Sequence, residues 1–341
     1  MIILLTGCAG FIGNAATLML LQRGDTVIGI DNLNDYYSVE LKNARLRRIC
    51  PSHDRADYKT NEIDSKFHFI KMDICDKSKL TEIFENNKID AVVHLAAQAG
   101  VRYSLENPQA YIDSNLTGTL NIFECCKNFG VKSIVFASSS SVYGDNAKIP
   151  FSVEDRTDSP VSLYAATKKS CELMAYTYNH LFGLNITGLR FFTVYGPWGR
   201  PDMALLLFAK SILEDNPIKV FGNGHMKRDF TYIDDIVNGT IAVLDWNVRS
   251  VGVTSATLPA KVFNIGRGEP VNLMRFIEIL ENELGKSAIK EFLPMQPGDV
   301  PATWADTAEL ENLVGYKPKI SLEHGVKEFA KWYKTEGFSL F

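Results

Sequence analysis

Cysteine is sparse and dispersed in this sequence. Six thiols (Cys8, Cys50, Cys75, Cys125, Cys126 and Cys171) occur in 341 residues, with no C-x-x-C pair among them. That excludes a small disulfide-stapled scaffold. The spacing of the cysteines and of the six scattered histidines supports no zinc site, so no metal is expected. Buried, reduced thiols in a cytoplasmic setting are the expectation. A basic surplus is also missing: 36 Lys and Arg stand against 40 Asp and Glu, a net charge of −4. A general nucleic-acid binder needs the opposite balance, although a few arginines gathered in one anionic pocket remain compatible. Nor is there any run near the ~18–20 apolar residues of a membrane span. The first apolar run, residues 2–5, ends before Gly7. It leaves no room for a basic n-region and a long h-region, so neither a signal peptide nor a membrane partner is expected.

What is present is ordinary globular material, 46% hydrophobic. At about 100–200 residues per domain, the length suits two domains or one large α/β unit with an appendage. Through residue 190, short apolar runs alternate with longer amphipathic stretches. Strands are predicted at 2–6, 26–31, 66–72, 91–95, 133–138 and 185–191. Helices are predicted at 11–23, 78–86, 107–129 and 161–182. Near-continuous apolar strands are buried on both faces, and alternating β and α units predict a Rossmann-type, doubly wound parallel sheet. The polar stretch 34–65 reads as an insertion with a short helix near 39–49. After 190, Pro and Gly punctuate at 196–201, 222–224 and 297–298. Helices are predicted at 204–214, 234–245, 272–284 and 322–333. We expect a dinucleotide-binding domain over 1–190 and a smaller mixed α/β substrate lobe over 191–341. A segment near 230–268 returns to the first domain, with 261–265 rejoining the main sheet.

The first strand runs into Gly7-Cys8-Ala9-Gly10-Phe11-Ile12-Gly13. Glycines permit a tight turn and let backbone N–H groups approach a pyrophosphate at the positive end of a helix dipole. A glycine turn alone is weak evidence. Here a strand precedes it, a helix follows, and Asp31 ends the second strand. A carboxylate there accepts the adenosine ribose hydroxyls and repels a 2′-phosphate, which favours NAD over NADP. Asp73-Ile74 after the third strand and Leu95-Ala96-Ala97 after the fourth are placed where ligands of open α/β sheets lie.

Tyr164 and Lys168 are four residues apart, one helical turn, with Pro160 upstream as a helix-start signal. A tyrosine titrates near 10 in water. Service as a base near neutrality therefore asks for a shift of roughly 3 units, about 4 kcal/mol. A cation about 5 Å away supplies roughly 3 kcal/mol at an effective dielectric near 20. Lys168 and the positive nicotinamide ring together close that gap. The bland alternative, an exposed helix pair, is about as common as the functional one. The preceding five β/α units and nucleotide loop decide between them. Ser138 to Ser141 place four hydroxyls at the end of the fifth strand, unusual for a core segment. They read either as a polar turn or as a proton relay to Tyr164.

With these residues go T-G-x-x-G-F-I-G, H-L-A-A-Q-A, N-L-T-G-T, S-S-S-S-V-Y-G, Y-x-x-x-K, L-R-F-F-T-V-Y-G-P and R-D-F-T-Y-I-D-D. Over nearly its whole length the chain resembles the extended short-chain dehydrogenase/reductase family, in particular its nucleotide-sugar epimerases and dehydratases. Segments 30–37, 101–108, 196–203 and 296–300 carry the resemblance further. It implies that Tyr164 is the base, Lys168 its pKa-lowering partner and Ser139 the hydroxyl partner. It implies that Asn32, Asn115 and Phe191 help shape the NAD site. Thr193, Ser140 and Ser141 would face the sugar, and Arg102, Arg200 and Arg228 its anionic groups. Lys219, Val220 and Phe221 would form a strand beside the uracil, with Asp299 on the substrate side. Arginine forks suit a diphosphate better than lysines do.

The implied activity is NAD-dependent C4 epimerisation of a UDP-sugar, UDP-glucuronate to and from UDP-galacturonate, through a transient 4-keto sugar. Resembling dehydratases carry an Asp-Glu pair before V-Y-G and related decarboxylases a Glu, where this chain has Ser140-Ser141. Other readings are a 4-epimerase of a neutral UDP-hexose or UDP-N-acetylhexosamine, a catalytically silent NAD-binding scaffold, and a net oxidoreductase. The resemblance also implies a homodimer paired through helices 107–129 and 161–182. Two features depart from the family pattern: Cys8 stands where Ala is usual, and the 34–65 insertion has no assigned role.

Overall fold

The computed structural model describes residues 1–50, 66–251, 261–296 and 299–340. Seven parallel strands form the central sheet: β1 (Ile2–Thr6), β2 (Thr26–Asp31), β3 (Phe67–Lys71), β4 (Ala91–His94), β5 (Ser133–Ser139), β6 (Asn185–Phe191) and β11 (Lys261–Ile265). Their order is β11-β6-β5-β4-β1-β2-β3. Alternate residues along each strand face opposite sides. Ile3, Leu5, Val93 and Val135 enter one core with α1 (Phe11–Arg23) and α9 (Ile233–Ser250). Leu4, Val92, Ile134 and Phe136 enter the other with α3 (Lys77–Asn86), α6 (Thr119–Phe129) and α7 (Leu163–Phe182). Both faces are covered, which is why these strands read as unbroken apolar runs. The order in which strands are added reverses between β1 and β4, and a crevice opens there beyond the carboxyl ends of the strands.

α2 (Val39–Ile49) leaves β2 and packs beside α1, capped by Ser38, whose Oγ accepts from Leu41 N. The remainder of the inserted segment, with Pro51 and the charges from Asp54 to Asp64, lies outside the described residues.

The helix expected over 107–129 is observed as helical turns from Pro108 to Phe129, with Asn107 as N-cap, but part of it is widened. α4 (Tyr103–Glu106) and α5 (Pro108–Tyr111) are single turns, and a π-helical stretch (Ile112–Gly118) leads into α6. Wider π turns offset side chains from α-helical phase and recur at functional sites. Here the offset residue is Asn115. Pro160 does not start the next helix either. Ser162 is the N-cap of α7, its Oγ accepting from Ala165 N at 3.1 Å, because a side-chain oxygen satisfies an N–H that Pro cannot.

Beyond β6 the small sheets are two-stranded. β7 (Thr193–Tyr195) pairs with β10 (Phe230–Tyr232), β9 (Lys227–Arg228) with β12 (Val271–Asn272), and β8 (Ile218–Val220) with β13 (Lys290–Phe292). α8 (Ala204–Leu213), α10 (Leu273–Leu284), α11 (Ala308–Val314) and α12 (Leu322–Thr335) accompany them. Phe230 stacks on Phe276 at 4.1 Å. The apolar core on the α1 and α9 side runs without a break into this lobe through Phe276, Ile277, Phe329 and Trp332.

Five of the six cysteines are buried and Cys75 is half-buried; all are free thiols. Among the described residues no helix is long and apolar enough to cross a membrane, and no cluster of His, Cys, Asp and Glu is arranged to hold a metal ion.

Candidate active site

Because all seven strands run the same way, the residues at their carboxyl ends meet at one rim. The turn after β1, the end of β2, the loop after β4 and the ends of β5 and β6 all line one cleft of about 440 Å3. The helix lobe closes its other side with Thr193, Arg200, Met203, Arg228 and Asp299.

The residues present fit a dinucleotide. Gly7 has a φ of +78°, and a Cβ there would lie 2.8 Å from Ala96 N. A Cβ on Gly13 would lie 2.0 Å from the Gly7 carbonyl oxygen. Glycine is therefore required at both positions to fold the turn against the start of α1. No side chain caps that helix, so the N–H groups of Phe11, Ile12 and Gly13 have no intrahelical acceptor and are free for an anion. Asp31 ends β2; its Oδ2 accepts from Ala9 N at 3.1 Å and its Oδ1 from Leu33 N at 2.9 Å. Burial raises its pKa against these hydrogen bonds and the Lys42 charge. Asn32 donates to Asp73 Oδ2 at 2.8 Å, and both line the cleft with Ile74, Leu95, Ala96 and Ala97. Cys8 is wholly buried, and burial, reinforced by the Asp31 charge, pushes its thiol well above the ordinary value. It is inert filler in the loop, not an oxidisable group.

Tyr164 and Lys168 project from the first turns of α7 into this cleft. Lys168 is buried, with Nζ donating to the Ala137 carbonyl of β5 at 2.9 Å. Tyr164 meets Tyr111 edge-on at 6.0 Å. Ser139, Ser140 and Ser141 all line the cleft, and Ser139 Oγ accepts from Ser141 Oγ at 2.9 Å and from Ser141 N at 3.2 Å. A buried ion pair lies beneath. Arg190 of β6 grips Glu172 of α7 through two hydrogen bonds of 2.8 Å. Ser138 Oγ also donates to Glu172, at 2.7 Å. Arg190 donates to the Tyr143 hydroxyl at 3.0 Å, and that hydroxyl donates to Asn264 of β11 at 2.6 Å. The helix that carries Tyr164 and Lys168 is thus bolted to the strand and turn that carry the serines.

Asn115 does not line the cleft. It is buried behind it: Oδ1 accepts from Gln98 N at 2.8 Å, and Nδ2 donates to the Gln98 carbonyl at 3.1 Å and to Thr167 Oγ1 at 3.0 Å. It shapes the site by holding the loop after β4 against α7. His94 lies nearby, its Nδ1 2.7 Å from Thr6 Oγ1 and its Nε2 3.0 Å from Thr119 Oγ1. Burial, with the Lys168 charge adding, lowers its pKa to about 3.

On the lobe side, Arg200 pairs with Asp202, Nε to Oδ1 at 3.0 Å, and Asp202 also accepts from the Tyr36 hydroxyl at 3.1 Å. Arg228 lines the cleft, and burial lowers its pKa while Asp299 opposes that shift. Two groups of expected substrate residues are not among those that line the cleft. Arg102 does not line the cleft; it is exposed, 3.7 Å from Asp299 and above the Phe221 ring. Lys219 and Val220 form the expected strand as part of β8, which pairs with β13, and Phe221 is in the turn after it; none of the three lines the cleft. The Pro297-Gly298 punctuation lies outside the described residues. Tyr36, Lys42, Gln98, Met203, Phe192 and Thr303 line the cleft without having been singled out. Tyr36, Gln98, Phe192 and Met203 fell inside segments that carried the resemblance; Lys42 and Thr303 had no local signal.

Residues 3–266 match the NAD dependent epimerase/dehydratase family. A UDP-glucuronate 4-epimerase of Thermodesulfobacterium geofontis is 47% identical over 332 residues, 97% of this chain and 95% of that one. The crystal structure of UDP-glucuronic acid 4-epimerase from Bacillus cereus, in complex with UDP-glucuronic acid and NAD, is similar at a TM-score of 0.84. It is 37% identical, covering 98% of this chain and 99% of that chain. A UDP-glucose 4-epimerase from Thermotoga maritima, with UDP-glucose, is similar at 0.81 and 28% identity, covering 98% and 99%.

Proposed function

The chain belongs to the NAD-dependent epimerase/dehydratase family, and from that premise we propose that it interconverts UDP-glucuronate and UDP-galacturonate. The observation that carries this reading is the convergence in one cleft of the glycine turn, Tyr164 with Lys168, and a cluster of neutral hydroxyls at the end of β5. Relatives of both uronate and neutral-hexose specificity share the fold, and the higher identities listed above fall on the uronate side.

Gly7, Gly10, Phe11, Ile12, Gly13, Asp31, Asn32, Asp73, Ile74, Leu95, Ala96, Ala97, Lys168 and Phe191 would hold NAD. Bound there, NAD supplies reversible two-electron oxidation at C4. Tyr164 takes the C4 hydroxyl proton and, once the 4-keto sugar has turned so that C4 is reduced on its other face, returns a proton to the C4 oxygen, with Ser139 as relay. Lys168, one helical turn from Tyr164 and with its Nζ fixed on the Ala137 carbonyl of β5, would hold the nicotinamide ribose. Arg200 and Arg228 hold the diphosphate. Ser140, Ser141 and Thr193 hold the sugar carboxylate by neutral hydrogen bonds. A 4-keto uronate is a β-keto acid, and its loss of CO2 requires the breaking bond to align with the carbonyl π system. Hydroxyls that pin the carboxylate out of that alignment protect the intermediate while the sugar turns.

We take residues 1–190 with β11 as the cofactor unit and most of 191–341 as the substrate unit. Exposed Leu120 and Phe129 on α6, with Leu173, Tyr176 and Leu181 on α7, form an apolar stripe suited to a homodimer. Free, mostly buried thiols favour a cytoplasmic location.

The test is to supply UDP-glucuronate to the purified protein and separate the products. UDP-galacturonate without net nicotinamide reduction is expected. UDP-xylose with CO2 as the main product, or faster turnover of UDP-glucose, overturns the uronate assignment.

A further inference from the structure

The inserted helix α2 plays no part in the chemistry above, yet it carries the most deeply buried arginine of the site region. Lys42, Arg45 and Arg48 follow at three-residue spacing along one side of α2. Arg45 is completely buried. Its hydrogen bonds end on carbonyl oxygens of two different loops and on a hydroxyl of the segment that leads into α2. Nη1 donates to the Ala9 carbonyl at 3.1 Å and to the Tyr37 hydroxyl at 2.7 Å. Nε and Nη2 donate to the Trp198 carbonyl at 3.1 and 2.7 Å, and Nη2 also to the Gly199 carbonyl at 2.9 Å.

Ala9 is in the dinucleotide turn, and its own N–H binds Asp31. Trp198 and Gly199 lead directly into Arg200, whose fork faces the cleft. Trp198 has a φ of +62°, a conformation that a bulky residue holds only under external constraint. Its ring is held too, with the Arg48 guanidinium 4.8 Å above it. Arg48 Nη1 donates to Asn14 Oδ1 at 2.8 Å, and Asn14 Nδ2 donates to the Arg45 carbonyl at 2.7 Å, so α2 is also fastened to α1. A planar fork with acceptors on both loops fixes their separation. A lysine ammonium at the same place engages one loop at a time.

We infer that Arg45 is a positioning residue that joins the dinucleotide turn and the Arg200 loop into one body, so that the diphosphate end of the sugar-nucleotide site is built on the cofactor site. This rests on the reading above only in taking the ligand as UDP-linked. The role of the insertion is then to supply that bolt.

The experiment measures UDP affinity by calorimetry, with NAD in excess, for the wild type, Arg45→Met and Arg45→Lys. KM and kcat for UDP-glucuronate are measured in parallel. UDP binding weakened at least tenfold in Arg45→Met is expected, with KM rising by a similar factor and kcat within about threefold. Arg45→Lys retains the charge and a near-wild-type melting temperature, yet weakens UDP several-fold; it carries the test if Arg45→Met does not fold. A purely structural role would lower the melting temperature and leave the UDP affinity and KM of the folded protein unchanged. That result, in either folded variant, overturns the inference, as does a wild-type holoenzyme that does not bind UDP. A wild type that binds UDP but leaves UDP-glucuronate unconverted sinks the substrate assignment and leaves this test standing.

Discussion

Removing Arg190 alone should damage the protein more than removing Arg190 together with its partner. Arg190 and Glu172 are both buried, and their side chains make two parallel hydrogen bonds of 2.8 Å. Taking both charges out of water is expensive, and their attraction repays that cost only while both are present. Arg190→Met leaves the Glu172 carboxylate buried with Ser138 Oγ at 2.7 Å and Lys169 Nζ at 3.5 Å as remaining partners. Such a broken pair costs about 3–5 kcal/mol. With an unfolding entropy of about 2.1 cal/mol/K per residue, that lowers the melting temperature by roughly 4–7 °C for a chain of this length. Glu172→Leu/Arg190→Met removes both charges, and its main cost is the orphaned Ser138 hydroxyl, about 1–3 kcal/mol. The double variant should therefore lose less than the sum of the singles by about 3 kcal/mol or more. Turnover should not recover with it. Glu172 is one turn beyond Lys168, so without the bolt the base-bearing face of α7 can shift against Ser139. A misplacement near 1 Å costs up to about 10²-fold in rate. Urea unfolding and kcat, measured on the same three proteins, provide the check. A double variant less stable than both singles would refute the energetic argument, and one with wild-type kcat would refute the positioning role.

The remaining predictions use separate readouts. Burial raises the Glu172 pKa, but the hydrogen bonds and charge of Arg190 together outweigh it and hold the carboxyl below its ordinary value; its contribution is present above the unfolded value near 4.3 and lost as pH falls through the folded one. For His94, the folded pKa of about 3 lies below the unfolded value near 6.5, so stability is fully present above pH 6.5 and falls by about 1.4 kcal/mol per unit toward pH 3. His94→Gln should flatten the stability profile across that window, and an unchanged slope would count against it. Gly13→Ala drives a Cβ to within 2.0 Å of the Gly7 carbonyl, so the purified variant should retain little NAD by chromatography of the released nucleotide. Tyr164→Phe should lower kcat about 10²–10⁴-fold with NAD content unchanged; undiminished turnover would revive the silent-scaffold reading. Leu173→Glu should yield monomers in sedimentation if the α7 stripe pairs two copies.

Much of this was legible in the residues themselves. β1, β2, β6, β11, α1 and α2 begin and end where the apolar runs, glycines and caps place them, because burial on both faces and helix capping are local in their demands. The glycine turn, Asp31, Tyr164, Lys168 and the serine cluster were also legible, since each lies at the carboxyl end of a strand or one turn into a helix. The π-helical widening at Ile112–Gly118 was not: hydrophobic periodicity over 107–129 cannot register a widened turn. Nor could it place Arg102, whose partner Asp299 lies 197 positions away in sequence and is reached only through the lobe.

By itself, then, the sequence determined a doubly wound α/β chain, its glycine turn, the Tyr164–Lys168 pair and the absence of an acid at 140 and 141. These depend on neighbours within a turn or a strand. Only the tertiary structure decided what lies behind the cleft. Asn115 supports the Gln98 loop instead of facing the ligand, Arg190 pins Glu172, and Arg45 joins two loops separated by nearly two hundred residues. A buried polar side chain must find hydrogen-bond partners wherever the fold brings them. Those partners are set by packing, and no local pattern in the chain announces them.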